Sequence, residues 1–585
     1  MNRHPSAFFI LSRMLWSAVA CMMVLPACKS PSAEEDFTLR IRIAQDPDCL
    51  HPIQSQSALA TQIEALVMMP MIEYGAGQLE LRPLLVKEVP VVVDRTDSTT
   101  IYFVEFREEA RWDDGRPITG NDYAFTVKAS LNPFIANPSW RSFLKNIHNV
   151  RIDSVNERKV YVHVARDYML GSEVSGNVNL YPEAVYDPAG VLRGYEVHDL
   201  ARRDSTGWTP GESDALRRFA ASFQSSGFCK SDIQGAGPYR LSTWEAGARI
   251  VLERKTDWWG SKFQSAEPLF EAHPRTIEYL VMPDEAATIL ALKEGSIDLA
   301  AGITPRQFIA LQQDSSSSVP LRFHTTGFFQ YAMLELNLRK PALSEWAVRR
   351  ALAHLVDVEG YIRNVMLGLA DPIVGPVHPR KPYYNDTLRS IAFDPDRSRK
   401  LLADAGWADR NRNGILDKTI DGRMQELRFS LLVSGELSRQ VALLLASEAR
   451  KIGVEIVPES REMAVFISDL NARNFDLAVV TISQQATSLY DPFQVYHSQN
   501  ARPGGGNRSG LQSPLVDSLI LAIRTTTDET ERNALYRRFQ AALYDAQSQI
   551  FLFSPRERIV TTNRVALEPI LRRPGYLENT VRRKP

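Results

Sequence analysis

The chain has 585 residues, more than a single compact core organises, so two or three domains are expected. Its 68 Lys and Arg balance 69 Asp and Glu, so no charge excess advertises nucleic acid or an anionic membrane as partner. A composition that is 44% hydrophobic and 23% charged is that of an ordinary soluble globular protein.

Arg3 and Arg13 lead into a mostly apolar run, Met14–Leu25, too short to anchor in a bilayer and readable as the core of a signal peptide. The run ends in Leu25-Pro26-Ala27-Cys28, which resembles a bacterial lipobox, where cleavage precedes a cysteine whose thiol becomes diacylglycerol-modified. The expectation is a lipoprotein signal peptide over residues 1–27, lipidation at Cys28 and a polar tether over 28–36; a plain secretory signal with a chance cysteine is the alternative. Lys29 after the cysteine hints at outer-membrane sorting. Two cysteines remain beyond the signal, Cys49 and Cys229. In an oxidising compartment they can form a disulfide, although the sequence does not show that they meet.

Beyond the tether, strands and helices interleave. Phe37–Ala44 alternates strictly and predicts a strand; Gln45–Pro52 is a loop, and residues 58–72 carry helical spacing. Ser98–Phe106 is a second β segment, followed by the Asp114-Gly115 turn and a capping box, Thr119 to Asp122, that starts a helix reaching about Leu131. Residues 186–230 are polar and poorly periodic and predict a loop-rich excursion. Strands are expected over Tyr239–Trp244, Arg249–Arg254, Thr276–Met282 and Ile297–Ala300, with a helix over Asp284–Glu294 closed by Gly295. A second block starts near residue 325, with a strand over Phe328–Leu338 and helices over Ser344–Asp357, capped by Ser344, and Asp396–Ala405. Leu427–Leu432, Val454–Val457 and Asp476–Thr481 are strands around the helix Ser438–Ile452, and two helices, Ser513–Ile523 and Asp528–Gln547, precede the apolar Ile550–Phe553. Strands alternating with helices argue for α/β lobes.

Several catalytic and cofactor motifs are missing. No Gly-Lys-Ser/Thr follows a glycine-rich loop, no His-Glu-x-x-His occurs and Gly-x-Ser-x-Gly is absent, so neither an ATPase, a zincin nor an α/β-hydrolase is supported. No enzyme and no cofactor is expected. Asp409, Asn411, Asn413 and Asp417 have the spacing that opens a calcium loop, but Ile420 stands where the bidentate glutamate belongs, so a structural turn is favoured over a metal site.

Taken in order, the segments Arg111–Asp122, Gly235–Trp244, Trp258-Trp259-Gly260, Ala291–Ala300, Val348–Asp357, Phe393–Trp407 and Asn507–Gly510 resemble the family 5 extracellular solute-binding proteins. These are the dipeptide-, oligopeptide- and nickel-binding receptors of ABC importers. The resemblance implies an α/β type 2 periplasmic-binding fold of two hinged lobes. Lobe I would span 37–325 with a subdomain inserted at about 75–230, lobe II 326–527, and residues 528–585 would return to lobe I. It implies capture of a small solute, a short peptide first among them, and delivery to permease and ATPase subunits by a monomeric, lipid-anchored receptor. An oligosaccharide, a metal chelate or a sensor-coupled role are the alternatives, with a hydrolase behind them.

By the same resemblance the ligand loop is Thr481–Phe493, giving Gln484, Gln485, Ser488, Tyr490 and Asp491 as candidates. Phe329, Gln330 and Tyr331 on the strand entering lobe II and Asp48 in the first loop complete the set. Peptide-binding members place an aspartate, which grips the ligand's ammonium, three positions before an acidic-Pro pair. Here the pair is Asp491-Pro492 and the matching position is Ser488.

Overall fold

The computed structural model describes residues 37–584, apart from 56, 76–78, 266, 328, 485, 486, 488 and 503; the expected signal, tether and lipidation site at Cys28 lie outside the described residues, as do Gln485 and Ser488. No helix among the described residues is long and apolar enough to cross a membrane.

A twelve-stranded mixed sheet runs through both lobes. In lobe I, Thr38–Ile43 buries Leu39, Ile41 and Ile43 on one face, as its alternation dictates. It pairs in parallel with Thr276–Val281 on one side and Leu299–Ala301 on the other. Between those two partners runs the helix Glu285–Glu294. Asp284 caps it by accepting the Ala287 N–H at 2.7 Å, and Gly295 ends it at φ 74°, a conformation glycine adopts without strain. In lobe II, Gln330–Leu336 lies antiparallel to Leu477–Ser483, which is followed in parallel by Arg428–Val433 and Glu455–Ser460.

The lobes are joined through one long strand, Gln549–Thr562. Its first residues pair with lobe II, Glu335 opposite Gln549 and Ala332 opposite Phe553. Its last residues pair with Leu321–Gly327 of lobe I, Gly327 opposite Arg556 and Leu321 opposite Thr562. The chain thus leaves lobe I between Gly327 and Gln330 and returns alongside, so two antiparallel segments cross together.

A separate four-stranded antiparallel sheet, ordered Val91–Arg95, Thr99–Glu105, Lys159–Ala165, Ile147–Ile152, forms the inserted layer. The helix Gly120–Leu131 covers it and opens with the Thr119–Asp122 capping box. Asp122 accepts from Thr119 N at 3.0 Å, Trp112 Nε1 at 3.3 Å and Glu183 N at 3.1 Å, which fixes the tryptophan of the Arg111–Asp122 segment to the helix start.

Two sequence-based expectations need correction. The excursion at 186–230 is helical in large part: Pro210–Phe223 begins with a capping box between Thr209 and Glu212 and buries Leu216, Phe219, Ala220 and Phe223. The helix expected over Ser344–Asp357 is broken. Pro341–Ser344 and Trp346–His354 are separate, with Glu345 extended between them (φ −77°, ψ 122°) while its carboxylate takes Trp407 Nε1 at 3.1 Å and Lys418 at 2.7 Å. Ser344 therefore caps no long helix.

Candidate functional site

The lobe I segments behind the resemblance turn out to be scaffolding. Gly237 N donates to Val67 O at 2.9 Å and Ala236 N to Met68 O at 3.2 Å, so the Gly-Ala-Gly stretch satisfies carbonyls left open at the end of the helix Ala58–Val67. The approach is so close that a Cβ on Gly235 or Gly237 would lie 2.1 or 2.2 Å from a carbonyl oxygen. Trp258 and Trp259 both donate their indole N–H to Ala236 O, at 2.8 and 2.9 Å. Lys255 joins Asp113 Oδ1 at 2.5 Å and Gly235 O at 3.1 Å. Cys49 and Cys229 are disulfide-bonded, Cα atoms 4.9 Å apart, with Leu50 N donating to Cys229 O at 2.9 Å. That crosslink holds the first loop against the end of the insertion.

The lobes meet at a different set of residues. Met169 N of lobe I donates to Arg524 O at 3.1 Å, Gln494 Nε2 reaches Ser142 Oγ at 3.0 Å, and Arg573 Nη1 reaches Ser483 Oγ at 3.1 Å. Behind this seam, Gln484 and Thr487 of the ligand loop contact the loop 376–385, and Tyr490 contacts the helix Glu529–Ala546. Gln484 N donates to Phe329 O at 2.6 Å and its Nε2 to Pro376 O at 2.8 Å, while its Oε1 is buried and has no hydrogen-bond partner among the described residues. Tyr490 is half-buried, and its backbone is bridged by the Tyr536 hydroxyl.

The remaining candidates divide clearly. Phe329 is buried edge-on to His378, ring centroids 4.8 Å apart. Tyr331 packs against Phe551 at 5.5 Å inside the lobe II core, so its place is structural. Gln330 donates to Pro555 O at 3.3 Å and staples one crossing strand to the other. Asp48 is exposed and accepts from Cys49 N at 2.9 Å and Ser55 Oγ at 2.5 Å, closing the first loop. Both oxygens of Asp491 are engaged within lobe II, one by Phe493 N at 3.0 Å and the other by Arg524 Nε at 3.0 Å. It is therefore not a free counter-charge for a ligand ammonium. The 409–417 loop is a hairpin turn. Asp409 accepts Asn413 N and Gly414 N at 3.1 and 3.0 Å, both asparagine amides donate to Glu426, and Asp417 holds Arg410.

Three buried ionisable groups were not singled out from the sequence. Glu64, 3% exposed, lies inside the helix Ala58–Val67 with one oxygen unpartnered among the described residues; burial, helped by the charge of Asp48, pushes its carboxyl up to about 8. Glu173 accepts the Tyr74 hydroxyl at 3.0 Å, and burial raises its pKa. Lys381, 3% exposed, sits in the 376–385 loop against Phe329 and Tyr383, and desolvation lowers its ammonium to about 7.

Known proteins share this fold. Residues 80–504 match the family described as bacterial extracellular solute-binding proteins, family 5 Middle. Over 472 residues the chain is 22% identical to the oligopeptide-binding protein AppA of Bacillus subtilis, covering 80% of this chain and 78% of that one. The structure of AppA in complex with a nonapeptide aligns with a TM-score of 0.73 at 18% identity, over 94% of this chain and 99% of that one. NikA from Brucella suis in complex with Fe(III)-EDTA gives a TM-score of 0.73 at 21% identity, over 94% and 100% of the two chains. The type 2 binding fold expected from the sequence is thereby established. Relatives of this kind are extracytoplasmic binding proteins of ABC importers rather than enzymes. Matched over most of its length by the family and folded like its solved members, the chain belongs to the family 5 bacterial extracellular solute-binding proteins.

Proposed function

We propose that this protein is the solute receptor of an ABC importer, capturing a short peptide between its lobes and presenting the closed, loaded form to the permease. It acts as a monomer held at the membrane by a lipid on Cys28. The observation that carries the reading is that Leu321–Gly327 of lobe I and Gln330–Leu336 of lobe II both pair with the single strand Gln549–Thr562, a narrow joint about which the lobes can move while each keeps its own core. The Asp491–Arg524 pair favours a second reading on the same scaffold. With that carboxylate engaged and serine at 488, a ligand without a free ammonium, such as an anionic metal chelate, fits the lobe II wall as well as a peptide does.

A pooled mixture of random tetrapeptides should raise the melting temperature and shrink the radius of gyration in solution scattering. Failure of peptides, ferric and nickel chelates and oligosaccharides alike to do either defeats the receptor reading. Radiolabelled palmitate should enter the wild type and not Cys28→Ser; equal labelling removes the anchor from the proposal.

A further inference from the structure

Ordinary packing does not explain Lys381, buried on the lobe II side. Its side chain lies on the inner side of the 376–385 loop, which is pinned by Lys381 N to His378 O at 3.0 Å and Asn385 N to Gln540 Oε1 at 3.0 Å. The ammonium donates to Thr487 O of the ligand loop at 3.0 Å, and the rings of Phe329 and Tyr383 stand 5.4 and 5.9 Å from Nζ. No carboxylate among the described residues lies within ion-pair distance of it. An ammonium has three donors, and a carbonyl with two ring faces neither fills them nor neutralises the charge. A buried lysine without an anion is costly, and proteins remove or pair such groups unless something else supplies the partner. One further buried polar atom beside it, Gln484 Oε1, has no hydrogen-bond partner among the described residues. Gln484 and Phe329 are themselves joined through the backbone, so these groups form one patch at the hinge end of the seam.

We propose that Lys381 is the receptor's anion anchor: it receives a carboxylate of the bound solute, with the carbonyl of Thr487 holding the ammonium in place. The inference rests on the receptor reading and specifies its chemistry. A peptide's C-terminal carboxylate and a carboxylate of a metal chelate are the two sources of that group.

The test compares random tetrapeptides as free acids, the same mixture as C-terminal amides, and ferric EDTA, each titrated by calorimetry into wild type, Lys381→Met and Lys381→Arg. The free acids should bind at least about 30-fold more tightly than the amides, with that preference lost in Lys381→Met and partly kept in Lys381→Arg, as expected when one partner of a buried charge pair is truncated. Tight binding of ferric EDTA, lost in Lys381→Met while peptides fail, supports the anchor and assigns the carboxylate to a chelate. Equal binding of acids and amides by the wild type overturns the anchor and leaves the receptor reading standing, and it does so even if Lys381→Met fails to fold. Absence of binding by all three probes overturns the anchor, and the receptor reading falls with it when nickel chelates and oligosaccharides fail as well.

Discussion

The Gly235–Gly237 scaffold of lobe I and the Lys381 region of lobe II treat their buried polar groups in opposite ways. Around Asp113, Asp122 and the Gly235–Gly237 stretch, Lys255 is paired, Asp122 accepts three N–H groups and both tryptophans share one carbonyl. On the lobe II wall, Lys381 has a carbonyl where a counter-ion belongs, and Gln484 Oε1 is unpartnered among the described residues. Buried polar groups in a settled structure are satisfied, so the first region is finished by folding and the second is completed by something that arrives later. The segments by which the chain is recognised are those that build it, and the groups that choose a ligand lie elsewhere.

The largest test of that contrast is the crosslink. Replacing both Cys49 and Cys229 with serine frees a loop of 180 residues of sequence separation, and chain entropy predicts a loss of about 5 kcal/mol in the lobe I unfolding transition. Solute affinity of the folded fraction should not change. A loss of affinity larger than the loss of stability would mean that the first loop, with Asp48, belongs to the binding wall after all. Chemical denaturation followed separately by lobe I tryptophans and by lobe II resolves the two, since a two-lobed chain need not unfold in one step.

Gly237→Ala comes next. Its Cβ would meet the Leu66 carbonyl oxygen at 2.2 Å, and backbone gives way less readily than a side chain, so a cost of about 3 kcal/mol is expected, again without a change in solute preference. If the variant is as stable as the wild type, the Gly-Ala-Gly stretch is not the fixed joint described above.

The same division decided what was legible in the sequence. Alternation in Phe37–Ala44, the caps at Thr119 and Asp284 and the stop at Gly295 are local signals, and the strands and helices form where they point. The helix Pro210–Phe223 was legible too, from Thr209-Pro-Gly-Glu212 and the spacing of Leu216, Phe219, Ala220 and Phe223, but its many polar residues hid the apolar stripe. Glu345 breaks a helix because its partners, Trp407 and Lys418, are distant in the chain. Lys381 was invisible for the same reason. In Pro379-Arg-Lys-Pro382 a lysine reads as solvated, and its burial is created by Tyr383 of its own loop with Phe329 and Thr487 from two distant segments. Alternation around Phe329, Gln330 and Tyr331 separates one face from another without telling which face is core, hinge or cleft.

The smallest effect is the most specific to lobe II. Burial pushes the Lys381 ammonium from 10.5 down to about 7. Its charged neighbours do not replace a counter-ion: Arg380 adds positive charge, His378 is itself held down to about 4 by burial and the nearby cations, and Asp371 is paired with Arg556. Below pH 7 the lysine is protonated in folded and unfolded chains alike, and the folded protein carries the full cost of a buried charge. Between about 7 and 10.5 the unfolded chain binds the extra proton, so stability rises with pH; above 10.5 both forms are neutral and the cost is gone. Lys381→Met should therefore be more stable than the wild type at pH 6, with the advantage fading as pH climbs through that window. A carboxylate bound at the ammonium restores its proton, so solute binding at pH 8 should take up protons in the wild type and not in Lys381→Met. Calorimetry in two buffers of different ionisation enthalpy measures that uptake. A wild type that binds solute at pH 8 without taking up a proton would place the wall of lobe II in the same class as the Gly235–Gly237 scaffold, satisfied before any ligand arrives.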